Sequence, residues 1–307
     1  MVSYVLRRLM GALPTLFFII TAAFFLMRVA PGGPFDRERT LEPTVMANLN
    51  AVFHLDKPLW EQYLRYLGNL FQGNLGPSFI YRDFTVGELL ASGLPVSMLL
   101  GSLALGTALL IGGTLGCIAA LRQNSWIDYA VIAVATFGIT VPNFVVAPVL
   151  ALVFGVWLDL LPAGGWDATN PANWIMPVTA LALPQVAVIA RLIRGSMIEA
   201  LRSDHVRTAR AYGLPTRMIV ITHALRAACL PAISYLGPAA AALLTGSIVI
   251  EQIFGLPGIG RYFVQGALNR DYTLVMGTVI VIAVFVVLFN LIVDILYAAL
   301  DPRVRYE

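Results

Sequence analysis

The chain has 307 residues, of which 59% are hydrophobic and only 12% charged, with a mean hydropathy of +0.81. A soluble domain carries roughly 25% charged residues, so half that charge over this much apolar mass excludes a water-soluble globule and makes lipid the solvent. The net charge of +3 carries no nucleic-acid signal, and Lys57 is the one lysine.

Charges divide the chain into six uncharged stretches, each near or above the ~20 residues that a spanning helix needs. They predict an all-α membrane protein with spans at about 9–29, 95–121, 129–157, 173–191, 227–250 and 273–300. Arg7 and Arg8 precede the first span as in a signal peptide. The apolar stretch is longer than the h-region of about 7–15 residues, however, and Pro31-Gly-Gly-Pro34 is no cleavage site, so the span is read as a retained anchor.

Residues 30–94 form an insertion with its own helical pattern. Val45, Leu49, Val52 and Phe53 recur at helical spacing after Pro43. A stronger stripe of Leu59, Trp60, Tyr63, Leu64, Leu67, Leu70 and Phe71 follows the start signals Asp56 and Pro58, and Gly73 to Ser78 break it. The insertion reads as a small helical cap lying on the bundle, either a lid that shields the spans or a docking platform for a soluble partner.

Small residues crowd the second and fifth spans, as at Gly101, Gly112, Gly116 and Gly237, and permit close helix approach. Pro142, Pro148, Pro177 and Pro184 should kink or unwind the third and fourth. The freed carbonyls must then face protein or water, which makes these spans candidates for lining a pathway. Asn143, Phe144 and Gln185 are the markers there, equally readable as buried helix–helix contacts. Asp294, four residues after Asn290, is the one acid inside a span, with Arg191 or Arg194 as expected partners. It is either functional or an anchor near the interface. Cys117 and Cys229 read as apolar packing residues, and neither they nor His54, His205 and His223 show metal-ligand spacing.

Arginine placement sets the orientation. Arg7 and Arg8, Arg122, seven arginines from Arg191 to Arg226, and Arg303 and Arg305 all fall on one side, whereas the 158–172 loop opposite has two aspartates and no basic residue. Both termini are expected in the cytoplasm.

Between the fourth and fifth spans, at about 192–226, Glu199 to Pro215 reads as a punctuated helix. Asp204 is the expected N-cap. Gly213 ends the helix in the left-handed conformation, Leu214 supplies the following apolar contact, and Pro215 suits the first turn of a second helix. Two short helices meeting at a glycine make a stiff protrusion. It is either an ordinary hairpin or a mechanical contact for a partner.

The pattern E-A-A-x3-G-x9-I-x-L-P marks the coupling loop of ATP-binding-cassette importer permeases. Registered on Gly213, the chain matches it at Ala209, Gly213 and Leu225, and departs with Arg207, Thr208, His223 and Arg226 at the glutamate, first alanine, isoleucine and proline. The wider text, Arg207-Thr-Ala-Arg-Ala-Tyr-Gly-Leu-Pro215 with His223-Ala-Leu-Arg226 and Pro231, resembles the peptide-transporter branch. The likeness covers essentially the whole chain, through Leu6-Arg-Arg-Leu9, Pro31-Gly-Gly-Pro34, Leu55-Asp-Lys-Pro58, Gly73-Asn-Leu-Gly-Pro-Ser78, Leu161-Pro-Ala-Gly-Gly165, Glu251-Gln-Ile-Phe-Gly-Leu-Pro-Gly-Ile-Gly260, Arg270-Asp-Tyr272 and Asp301-Pro-Arg-Val-Arg-Tyr306. It is strongest to the B-type permeases of oligopeptide importers; dipeptide, glutathione and nickel permeases share much of this text.

The resemblance implies a type I importer permease fold and a division of labour. Such a permease pairs with a second, homologous permease, two cytoplasmic ATPase subunits and a periplasmic or lipid-anchored peptide-binding protein, in a bacterial inner membrane. Its coupling helix maps onto Asp204, Arg207, Thr208, Ala209, Arg210, Ala211, Tyr212, Gly213 and Leu214, which would sit in a groove of an ATPase subunit. Arg207 and Arg210, spaced i, i+3, would meet acidic groups there. Glu251 to Gly260 would form a re-entrant turn near the periplasmic gate, with Phe254 as a gate side chain. No cofactor is expected on this chain, and ATP and magnesium would bind the partner ATPases. The residues agree: a phosphate loop needs G-x-x-x-x-G-K-[ST], and Lys57 lies in the insertion. Two readings of other classes remain. An ion-coupled transporter would place ligands near the bilayer midplane, where these spans are uncharged, and would work on an ion gradient without ATP. A receptor or membrane anchor would show no uptake at all.

Overall fold

A computed structural model describes residues 2–29, 33, 42–81 and 83–300. The Pro31-Gly-Gly-Pro34 motif, Gly33 apart, and the Asp301–Tyr306 motif lie outside them. In chain order, α1 (Val2–Val29) is followed by two insertion helices, α2 (Pro43–Val52) and α3 (Leu59–Phe71), and then by α4 (Val86–Leu121). A bent pair, α5 (Trp126–Thr140) and α6 (Asn143–Trp157), leads to α7 (Ala172–Arg202), the short α8 (Asp204–Ala211) and α9 (Thr216–Leu244). Finally α10 (Ile248–Phe254) and α11 (Ile259–Leu268) precede α12 (Tyr272–Leu300). By length and hydropathy, α1, α4, α7, α9 and α12 each cross a bilayer, and the bent pair taken as one span makes the sixth.

The helices outrun the uncharged stretches that predict them. α4 begins at Val86, so the expected insertion boundary at 94 falls inside it, and α7 continues through Arg191, Arg194 and Arg202. Charged side chains end the apolar segment, but the backbone keeps its hydrogen-bond ladder into the interface. The fifth span is displaced instead: α9 starts at Thr216 and stops at Leu244, before the expected 250.

The prolines divide by position. Pro142 breaks its span, with α5 and α6 bent by 99° across Val141 and Pro142. Proline lacks the donor and disfavours the α region for the residue before it, and Val141 is extended (ψ 118°). Pro177 and Pro184 lie within one continuous helix, and past Pro148 the helix runs on as a π-helical stretch at Ala151–Trp157, a local departure from α geometry. Neighbouring helices re-satisfy freed carbonyls in such settings.

α7 is the central rod, packed by α4, α5 and α9, while α9 also packs on α12 and α4. Close approach depends on the small residues. A Cβ at Gly101 would lie 2.3 Å from the Leu243 carbonyl oxygen, and one at Gly116 2.6 Å from that of Ala190. The main core gathers Leu100 and Ala104 of α4, Met176 and Leu181 of α7, Leu243 of α9 and Phe254 of α10.

α1 packs on α12. Arg8 pairs with Asp294 at 3.1 Å, so the acid of the last span does not take Arg191 or Arg194 as its partner. α3 lies on α1 by only part of the expected stripe, with Tyr63 and the neighbouring Gln62 at the contact. Tyr63 binds Thr21 (O···O 2.6 Å) and stacks edge-on against Phe24, and Arg28 Nε donates to Gln62 Oε1 at 2.8 Å. Trp60, Leu64 and Phe71, the last 89% exposed, point away from the bundle. Lys57 stands half-exposed in the turn before α3. The buried Asp271 ties the insertion down: its carboxylate accepts from Ser78 Oγ and the Phe79 amide (3.1 Å), and from Thr273 Oγ1 (2.9 Å) and the Leu274 amide (3.1 Å) at the start of α12. The motifs at 73–78 and 270–272 therefore meet in space.

Candidate functional site

The 203–215 turn has an anchored inner face and a free outer one. Val206 and Ala209 of α8 are buried against Met197 and Ala200 of α7 and Ile219 and Ala224 of α9. Arg207, Thr208, Arg210, Ala211 and Tyr212, the last 81% exposed, face outward. The helix ends as its sequence indicates. Gly213 has φ +75°, its amide donates to the Arg210 carbonyl at 2.9 Å, and the Leu214 amide donates to that of Ala209 at 3.3 Å. This is the paired closure that satisfies the Ala209 and Arg210 carbonyls of the last turn, and Leu214 packs into the same cluster.

Its start differs from expectation. Ser203 holds the N-cap position, extended at φ −67° and ψ 156°, and makes no side-chain cap. Asp204 is the first helical residue, and its exposed carboxylate pairs with Arg207 at 3.2 Å. An acid here still favours the helix dipole. The second half of the loop is no separate helix either. Pro215 caps α9 directly, and α9 passes through a π-helical turn at Ile219–Ala224. The protrusion is thus one short helix welded to two spans.

Three polar links stiffen the weld. Ser196 Oγ of α7 donates to the Ala228 carbonyl of α9 at 2.6 Å, Arg202 reaches Gln123 Oε1 at 3.1 Å, and the His205 ring meets the His223 carbonyl at 3.2 Å. Beside them the buried Asp128 receives both Nε and Nη2 of Arg194, the latter at 2.7 Å, and the Asn124 amide at 2.9 Å. This fork locks the start of α5 to α7. Charge counting uses Asp128 only as a boundary, because nothing local says that a partner 66 residues away will lie opposite.

At the other end of the bundle, the 245–260 segment folds back around one acid. Glu251, 3% exposed, accepts from Ser97 Oγ at 2.6 Å and from the Gly260 amide at 2.8 Å, while Ser97 also receives the Ile259 amide at 3.0 Å. A Cβ at Gly258 would fall 2.3 Å from the carboxyl carbon, and one at Gly246 2.4 Å from its oxygen. The glycine-rich text following Glu251 is what lets backbone close on the carboxylate. Burial pushes this carboxyl above the ordinary glutamate range, and the hydrogen bonds from Ser97 and Gly260 act against that. Ser97 is a member that sequence reasoning misses.

The remaining candidates are not brought together. Asn143 opens α6 at the 99° break, with Phe144 exposed beside it. Gln185 accepts from the Tyr235 hydroxyl at 2.6 Å, joining α7 to α9. Phe254 is 1% exposed within the main core and faces no open space in the single chain.

Comparison with known proteins adds the following. A family model described as "Binding-protein-dependent transport system inner membrane component" matches residues 112–306, and "Binding-prot-dependent transport system membrane comp, N-term" matches residues 1–84. The chain is 52% identical over 306 residues to the oligopeptide transport system permease proteins OppB of Haemophilus influenzae and of Escherichia coli, covering 100% of both chains in each case. It is 43% identical over 305 residues to the dipeptide transport system permease protein DppB of Bacillus subtilis, covering 99% of this chain and 98% of that one. Among solved structures, the MetNI methionine ABC transporter in inward facing conformations aligns with a TM-score of 0.55 at 16% identity, over 69% of this chain and 96% of that one, a likeness of fold.

Proposed function

This chain belongs to the binding-protein-dependent transport system inner membrane components, and from that premise we propose that it is the membrane-spanning permease subunit of an ATP-binding-cassette importer of oligopeptides. The higher identity to oligopeptide than to dipeptide permeases, 52% against 43%, supports that substrate class. It works beside a second, homologous permease, two ATPase subunits and an extracytoplasmic peptide-binding protein. Both termini lie in the cytoplasm with α8, as the arginine distribution favours. This chain catalyses nothing; ATP is hydrolysed on the partners.

The observation that carries the reading is α8 itself: an outward face of Arg207, Thr208, Arg210, Ala211 and Tyr212 on a helix whose inner face is fixed to two spans. Seated in an ATPase groove, it moves when the ATPases close. The packed cluster and the Ser196 and Asp128–Arg194 links then pass that motion to α7, α9 and α5. At the periplasmic end, the Glu251 knot makes the re-entrant segment move as one block with α4, with Phe254 behind it. Asn143, Phe144 and Gln185 belong to spans that line the pathway between the two permeases.

The test is reversal of charge on the free face. In Arg207→Glu with Arg210→Glu, the ATPase subunits should co-purify several-fold less while the two permeases stay paired. An unchanged ATPase yield would remove this reading of α8.

A further inference from the structure

Arg28 ends α1 in a setting that, among the described residues, gives its charge no carboxylate partner. Its guanidinium lies 3.8 Å over the Phe24 ring centroid, and Nε donates to the neutral Gln62. Next to Arg28, the buried Tyr66 hydroxyl has no hydrogen-bond partner among the described residues. Burial pushes that phenol far up, so it stays protonated and available as a donor. Both side chains line one cavity of about 170 Å³, to which Asn69, Asn74 and Arg65 also contribute.

A guanidinium offers five donors, and a cation drawn out of water needs an anion or several acceptors around it. Here Gln62 satisfies one donor, and the described residues of the cavity wall add amides and Arg65, itself paired with Glu61, but no acid. Arginine with a second donor at its side is the arrangement that grips an oxyanion.

The depth of the cavity identifies the oxyanion. Arg28 sits in the last turn of a span whose Leu26 and Val29 are exposed on the single chain, and α3 beside it turns Trp60, Leu64 and Phe71 outward. Aromatic residues and the end of an apolar rod mark the lipid–water boundary, the level at which phosphodiesters are held. We propose that this cavity is a phospholipid site in which Arg28 and Tyr66 hold the headgroup phosphate, with the acyl chains lying along the exposed side of α1. The bound lipid then belongs to the seam between α3 and α1, where Tyr63 and Gln62 already meet Thr21 and Arg28. Only the leaflet, the outer one, rests on the orientation proposed above.

The complete importer in detergent, analysed by native mass spectrometry, tests this. Three probes are titrated: phosphatidylglycerol, a phosphate-free diglucosyl-diacylglycerol with the same acyl chains, and inorganic phosphate. The wild type should retain phosphatidylglycerol in preference to the glycolipid. Tyr66→Phe, which removes only a hydroxyl, should weaken retention about 3–10-fold, and Arg28→Gln by more than about tenfold. Equal retention of phospholipid and glycolipid overturns the proposal, as does unchanged retention in Tyr66→Phe. Displacement of the lipid by inorganic phosphate at comparable concentration shows a site for the free anion and overturns it too.

Discussion

Glu251 shows how one side chain can tie two short helices and a span together. It fixes two amides in the first turn of α11, that of Gly260 directly and that of Ile259 through Ser97. Glu251→Ala would leave the Ser97 hydroxyl and the Gly260 amide unpaired, at about 1–3 kcal/mol for each buried group. Its thermal transition should fall well below that of Glu251→Gln, which keeps the shape and one acceptor. The two carboxyl states also differ. Because burial raises this pKa, the folded chain holds the proton to a higher pH than the unfolded chain does. Stability from this group is therefore greatest below the ordinary glutamate value and declines as pH rises through the raised one. As pH falls through the raised value toward the ordinary glutamate one, the wild type should gain thermal stability relative to Glu251→Gln. A pH-independent difference between the two would show that the acid is not the titrating group. The acid and its glycines are visible in sequence; Ser97 is not, because it comes from a span 154 residues away.

At the scale of the element, α8 is the most legible part of the chain, since its end is written in local chemistry. Gly213 sits at φ +75° with nothing within 4 Å of a built Cβ, so a substitution there is opposed by backbone conformation and not by crowding. Gly213→Val carries a left-handed penalty of about 1–2 kcal/mol. The assembled importer should then lose stimulation of its ATPase by the peptide-loaded binding protein while all subunits still co-purify, and wild-type coupling would show that the turn tolerates another geometry. The helix start is less legible because Ser203 and Asp204 are adjacent candidates. Ser203 spends its hydroxyl on the Ala200 carbonyl, which leaves Asp204 to begin the helix. Span number is readable from charge, whereas span ends are not, because helices such as α7 carry arginine without unwinding. The proline rule shows the same limit: Pro142 breaks its helix and Pro177 does not. That difference is set by surrounding packing, which a one-dimensional pattern does not contain.

Across the whole molecule, the polar links form two tiers. Asp128–Arg194, Ser196–Ala228 and Arg8–Asp294 join spans at the α8 end, and Asp271 and Glu251 join loops to spans at the other. None of these pairings follows from the order of residues alone. Asp294 takes Arg8 because α12 lies beside α1, a neighbour relation fixed only when all six spans pack. Between the tiers, apart from the Gln185–Tyr235 bond, the bundle is held by apolar contact and close backbone approach, which suits rods that slide under a load applied at one tier.

Lys57 stands alone among nineteen arginines and is half-exposed beside α3. Apart from the amino terminus, amine chemistry therefore has one address on this chain. A membrane-impermeant succinimidyl ester applied to intact spheroplasts should modify Lys57 if the insertion faces outward, and Lys57→Arg should abolish that label. Reaction only after the cells are opened would place the insertion, and with it the assigned sense of transport, on the opposite side.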